Sequence, residues 1–248
     1  MGPSNGTLAE PRHPDRRRFL NILASAGVGG LVGESLAQRS AYAGTLTKAR
    51  RAEMSPDDII ALMKQGNERF RNAGRLARDY IAEQSDAAKD QHPAAVILSC
   101  IDSRAPAEVI MDLGIGDVFN SRIAGNISND DILGSMEFAC KVAGAKLVLV
   151  MGHTSCGAVK GAIDGVRLGN LTGLLAKIYP AVEATTFPGD RSSKNLAFVD
   201  AVARKNVQLT MISIRDKSTI LRDLESANAV KIAGAIYDLN TGRVDFLT

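Results

Sequence analysis

AAVILSCIDSRAP, residues 94–106, is an apolar run that ends in a thiol, a carboxylate and a guanidinium. Its first five residues carry no polar side chain and follow Pro93, the pattern of a short strand buried on both faces. The mouth of such a strand is a costly place for Cys100, Asp102 and Arg104, because groups taken out of water need partners. A second run, KLVLVM at 146–151, ends in Gly152-His-Thr-Ser-Cys-Gly157. Open parallel sheets bind ligands at the carboxyl ends of their strands, so Cys100 and His153 can meet there.

Working outward, residues 106–113 read as a short helix opened by proline, 117–121 as a second strand, and 132–143 as a helix closed by Gly144. Residues 155–163, 168–182 and 195–224 supply further helices, the last broken near 213–217. The stretch IAGAIYDLNTGRVDF, 232–246, reads as a hairpin turning at Asn240-Thr-Gly242. On the amino-terminal side, Ser55-Pro-Asp-Asp58 is a helix start, and Ile59, Leu62, Met63 and Phe70 keep helical spacing to about Asn72. Gly74 onward, with Arg75, Arg78 and Asp79, reads as a polar connection. The expected fold is α/β: a central, mostly parallel sheet flanked by helices, with the C-terminal hairpin adding an edge strand.

The composition suits a globular domain, with 45% hydrophobic residues in 248. Thirty Lys and Arg against 27 Asp and Glu, without a basic stripe interleaved with aromatics, make no case for nucleic acid. The first 43 residues follow another logic: Asp15-Arg-Arg-Arg-Phe-Leu-Asn21, a Gly/Ala-rich apolar run to Gly33, then Ala41-Tyr-Ala43. These read as the charged, apolar and cleavage regions of a signal peptide over 1–43, leaving 44–248 as the mature domain. Arg16-Arg17 before Phe19-Leu20 resembles the twin-arginine export signal, which places the protein in the periplasm or outside the cell. No other segment is long and apolar enough to span a bilayer.

Three cysteines, Cys100, Cys140 and Cys156, cannot all pair within one chain. His153 and Cys156 sit on one strand-to-helix turn; with Cys100 they make a soft donor set suited to Zn2+, with a fourth position open as in catalytic sites. A Cys100–Cys156 disulfide is the alternative in an oxidising compartment, and it leaves His153, Asp102 and Arg104 without a use. Asp102 and Arg104 lie two apart, on one face of an extended backbone, where a charge-assisted pair keeps the carboxylate ionised. Asp102 can then accept a hydrogen bond from the nucleophile or swing in as a fourth ligand. Cys140 reads as a buried hydrophobe beside Met136 and Phe138, and His92 as a loop residue.

Cys100-x-Asp-x-Arg104 after the first strand and His153-x-x-Cys156 after the third resemble the beta-class carbonic anhydrases. Gly66-Asn-Glu-Arg-Phe70, Gly116-Asp-Val-Phe119 and Arg122-x-Ala-Gly-Asn126 are similar to further segments of that family. The resemblance implies zinc ligands at Cys100, His153 and Cys156, an Asp102–Arg104 catalytic dyad, and reversible hydration of carbon dioxide to bicarbonate and a proton. It also implies a homodimer or tetramer whose N-terminal helix lies across a partner subunit. By the same likeness Gln91, which points to the plant-like branch, Phe119 and Gly157 line the substrate pocket. Phe138 replaces a common tyrosine, and Ile97 replaces the tryptophan of the bicarbonate-inhibited branch. Carbon disulfide or carbonyl sulfide hydrolysis on the same fold, or an exported zinc-binding protein without turnover, are the rival readings.

Overall fold

The computed structural model describes residues 44–247, so the signal-peptide expectation over 1–43 lies outside the described residues. Helix α1 (Lys48–Glu53) leads into α2 (Pro56–Arg71), which starts as the sequence dictates. Ser55 Oγ accepts from the Asp58 N–H and Asp58 Oδ2 accepts from the Ser55 N–H, with Pro56 at the first helical position. The polar connection holds another helix, α3 (Tyr80–Ala87), capped by Asp79, whose Oδ1 accepts from the N–H groups of Ile81 and Ala82. It was not foreseen because it is short and mostly polar. Its buried Glu83 is held by Arg78 at 2.9 Å and by the Ile115 N–H at 2.8 Å.

Strand β1 (Ala95–Ser99) is followed by a single turn of helix, α4 (Ala107–Ile110), then β2 (Val118–Arg122) and a 3-10 turn (Ala124–Asn126). Asp112, in the left-handed region at φ 51°, stops α4 earlier than expected. Next come α5 (Asp130–Glu137), a π-helical turn (Phe138–Val142), β3 (Leu147–His153) and α6 (Gly157–Ile163). The single helix expected over 168–182 is two, α7 (Gly169–Ala176) and α8 (Tyr179–Ala184), because Pro180 has no N–H to continue the ladder. Helices α9 (Leu196–Lys217) and α10 (Thr219–Ser226) part at Ser218, whose Oγ accepts from the Leu221 N–H. Strands β4 (Lys231–Tyr237) and β5 (Val244–Leu247) form the hairpin.

The sheet order is β2-β1-β3-β4-β5, parallel except for the antiparallel β4–β5 pair. Alternation sorts the strand side chains onto two faces. Ala95, Ile97, Leu147, Leu149 and Met151 pack with Ile59 and Met63 of α2. Val96, Leu98, Val148 and Val150 pack with Leu133, Met136 and Val207 on the other side. Asn67, buried in α2, ties that helix to its own chain: Nδ2 donates to Ile110 O and Gly242 O, and Oδ1 accepts from the Val244 N–H. Lys146 Nζ likewise donates to the carbonyls of Ala52 and Met54. A layered α/β core of this kind leaves its carboxyl edge free for loops.

Candidate metal centre

In the parallel register Ser99 faces Met151, so the chain leaves β1 and β3 at the same edge. Cys100 follows β1, His153 ends β3, and Cys156 immediately precedes α6. The turn between the last two is tight. Ser155 adopts φ 54°, which keeps it out of α6 although the sequence suggested a helix from 155. Its N–H donates to Asp200 Oδ1 at 2.7 Å, while the Thr154 N–H donates to Tyr237 O at 2.9 Å. On the other side, Arg122 at the end of β2 donates from Nε to Cys100 O at 2.9 Å and from Nη2 to Asp102 O. Gly125 then presents its N–H to Cys100 Sγ at 3.3 Å. It does so at φ 67°, and a Cβ there would lie 2.4 Å from Ile178 Cδ1, so the position requires glycine.

These constraints bring the ligating atoms of Cys100, His153 and Cys156 within 4.8 Å of one another, all buried. His153 Nδ1 is 2.9 Å from Thr154 O, which selects the tautomer with a free lone pair on Nε2. Nε2 is buried and has no hydrogen-bond partner. The neighbouring Cys156 sulfur brings the Cys100 thiol well below its ordinary value against its burial, with His153 and the Gly125 N–H helping. The closeness of the Cys100 sulfur, together with burial, pushes Cys156 up. Burial lowers His153, but the nearby Cys100 sulfur and the Thr154 carbonyl outweigh it and raise the ring. Two sulfurs thus crowd together, one favoured as a thiolate and the other as a thiol, beside an unpaired ring nitrogen. A dication in that space would meet Nε2 and let the second sulfur ionise, so the donor set fits zinc.

Beside the cluster stands the dyad. Asp102 Oδ1 accepts from Arg104 Nε at 2.9 Å and from its N–H at 3.0 Å, and Oδ2 accepts from Nη2 at 2.8 Å. The Arg104 hydrogen bond, ahead of all other causes, holds the Asp102 carboxyl well below the usual range. Oδ2 lies 3.8 Å from His153 Nε2, too far for a hydrogen bond. In this arrangement Asp102 flanks the cluster and Arg104 occupies both of its oxygens.

The other expected residues divide. Gly157 is the exposed first residue of α6, next to Cys156. Gln91 is exposed and precedes the amino end of β1, the opposite edge from Cys100. Phe119 is half-buried in β2 and packs edge-on against Phe138, ring centres 6.2 Å apart. One chain by itself brings neither Gln91 nor Phe119 to the cluster. His92 pairs with Asp90 at 3.1 Å on that amino-terminal side. Cys140 lies in the π-helical turn, pushed up to about 12 by burial. All three cysteines are free. Roles for Arg122, Gly125 and Asp200 were not foreseen; the first two lay in the Arg122-x-Ala-Gly-Asn126 motif, and Asp200 carried no local signal.

Three soft or borderline ligands gathered at the edge of a parallel sheet make a donor set suited to zinc. The carbonic anhydrase family profile matches residues 95–244. Carbonic anhydrase 2 of Mycobacterium tuberculosis is 35% identical over 184 residues, covering 73% of this chain and 87% of the relative. A carbonic anhydrase of Mycolicibacterium smegmatis is 33% identical, covering 74% and 89%. Among solved structures, a beta-carbonic anhydrase of Aspergillus fumigatus superposes with a TM-score of 0.60 at 25% identity, over 77% of this chain and 89% of that one. One of two tetrameric beta-carbonic anhydrases of Sordaria macrospora shares the fold at a TM-score of 0.58 and 23% identity, over 77% and 97%. The chain belongs to the beta-class carbonic anhydrase family and is an enzyme with zinc as its cofactor.

Proposed function

We propose that the protein hydrates carbon dioxide reversibly to bicarbonate and a proton, with Cys100, His153 and Cys156 holding the metal. The observation that carries the reading is the unpaired, buried His153 Nε2, gathered with two sulfurs and flanked by an ionised Asp102. Zinc, when bound, supplies a water acidified from about 15.7 to about 7. Asp102 Oδ2 accepts a hydrogen bond from the attacking oxygen and turns its lone pair toward the substrate carbon. Arg104 keeps that carboxylate ionised and stops it from rotating. Gly157, with nothing within 4 Å of where a Cβ would stand, leaves the approach beside Cys156 open. Phe119 and Gln91 serve the pocket across a subunit boundary, Phe119 as an apolar wall and Gln91 as a donor to a substrate oxygen; Gln91 assigns the chain to the plant-like branch.

The working form is a homodimer or tetramer. Phe138, half exposed beside Phe119, and the exposed Val142 support an interface there. Residues 1–43 direct export by the twin-arginine route to the periplasm or beyond, carrying the folded chain with its metal. Among the described residues no helix is long and apolar enough to cross a membrane.

The test is stopped-flow hydration of carbon dioxide by the zinc-loaded protein, with proton release followed by an indicator dye. Turnover should track zinc content, vanish on chelation and return with added zinc. A fully zinc-loaded protein that does not exceed the buffer rate overturns the reading, and hydrolysis of carbonyl sulfide or carbon disulfide in its place assigns the rival activity.

A further inference from the structure

Helix α9 lies against the metal cluster and holds both loops that supply its ligands. Asn206 is 2% exposed, and its Nδ2 donates to Gly125 O at 2.7 Å. Gly125 in turn donates its N–H to Cys100 Sγ at 3.3 Å. Nearer the amino end of the helix, Asp200 Oδ1 accepts from the Ser155 N–H at 2.7 Å, and Ser155 is the residue before Cys156. The two contacts act on different sulfurs. The first fixes a donor aimed at Cys100. The second fixes the left-handed turn from which Cys156 is presented.

Packing alone does not explain the asparagine. Asn206 shares its buried helix face with Val199, Val202, Ala203 and Val207, where an aliphatic side chain fills space without a polar group to satisfy. Its amide is spent on a carbonyl of the glycine that contacts a metal-ligating sulfur. Partners one step removed from a ligand set its orientation and its donor strength, and an N–H···S bond withdraws charge from a thiolate. We propose that Asn206 and Asp200 are positioning residues of the metal centre, Asn206 tuning the Cys100 sulfur through Gly125 and Asp200 aiming the Cys156 sulfur through Ser155. The proposal rests on Cys100, His153 and Cys156 being the metal ligands.

The experiment uses the full chain loaded with cobalt(II) or zinc. It reads the sulfur-to-cobalt charge-transfer band and the rate of zinc release to excess chelator, with the melting temperature of the metal-free chain as a control on folding. Asn206→Leu and Asn206→Asp both remove the donor to Gly125 O, and both should shift the band and speed zinc release about 10–100-fold. Asp200→Val should speed release as well, while Asp200→Asn, whose amide oxygen still accepts from Ser155, should stay near the parent. If the Asn206 variants keep the parental band and a release rate within about twofold, and only the metal-free melting temperature falls, the role is structural and the proposal is overturned. Should neither Asn206 variant fold, equal release rates in Asp200→Asn and Asp200→Val overturn it, and faster release in Asp200→Val alone supports it. A parent chain with no thiolate–cobalt band removes the ligand reading and this inference together, whereas a normal parent with unchanged variants removes this inference alone.

Discussion

Asparagine at position 102 keeps the shape of the side chain and removes its charge, which separates what Asp102 does for folding from what it does for turnover. Oδ1 takes two donors from Arg104, so the amide oxygen of Asp102→Asn settles there. The amide nitrogen then falls where Oδ2 faced Nη2 at 2.8 Å, and one charge-assisted bond becomes a contact between donors. Arg104 is 58% exposed, so solvent screens the pair and folding stability should change little. Zinc content should hold as well, because Asp102 stands outside the cluster of ligating atoms. Catalysis is different. Oδ2 lies 3.8 Å from His153 Nε2, beside the space where the proposed mechanism has it accept the nucleophile's hydrogen, and an NH2 group there donates instead. Loss of a positioned acceptor costs about 100–10,000-fold in rate, about 3–5 kcal/mol on the barrier. Stopped-flow turnover, metal analysis and urea unfolding on one preparation measure all three quantities. Full zinc with turnover within about threefold of the parent would refute the orienting role, and loss of zinc would make Asp102 a ligand instead.

Zinc binding to the metal-free protein should release protons at pH 7 and tighten as pH rises. Cys100, lowered well below the ordinary thiol value, needs no proton removed, whereas the raised Cys156 must give up its proton. Binding enthalpies independent of buffer ionisation would contradict this. Asp112→Ala should cost about 3–5 kcal/mol by urea unfolding, because this fully buried carboxylate accepts from Arg69 at 2.7 Å, Arg75 at 3.3 Å and the Leu76 N–H at 3.1 Å. A loss below about 1 kcal/mol would mean that water replaces the carboxylate there. For Glu225, burial opposes ionisation, but the two Arg215 hydrogen bonds and the Ile232 N–H lower its pKa below the usual carboxylate value. Its contribution is therefore present above the unfolded-state pKa and lost as pH falls through the folded one, so Glu225→Gln should flatten the acid limb of stability; an unchanged limb counts against it. Replacing Arg16 and Arg17 by lysine should strand the precursor in the cytoplasm, and undiminished export would end the twin-arginine reading.

What could be read ahead of the structure was whatever physics writes locally. Residues 95–99 and 147–151 are apolar at every step but Ser99, and only burial on both faces calls for that, so both strands and their parallel pairing followed. The ligands were legible for the complementary reason: a thiol and an imidazole at the mouths of buried strands have no cheap explanation without a cation. Helix α3 was missed because it is held through Glu83, paired with Arg78 ahead of the helix, rather than through an apolar stripe. The break at Pro180 was written in the sequence and outweighed by the leucines before it.

Contacts distant in sequence are a different matter. Asp200 and Asn206 meet their partners 45 and 81 residues away, and neither spacing follows from periodicity. Asn206 did leave one trace, a polar residue on an apolar helix face between Ala203 and Val207, and a buried amide of that kind must find a partner. That rule says a partner exists without saying which. Only the folded chain reveals that it is the carbonyl of Gly125, and so connects the middle of α9 to a metal-ligating sulfur. Gln91 and Phe119 follow the same logic one level up: the amino ends of β1 and β2 cannot reach Cys100 within one chain, so a role in the pocket requires a second subunit. A monomeric form of the protein that kept full turnover would therefore exclude both residues from the chemistry while leaving Cys100, His153, Cys156 and Asp102 untouched.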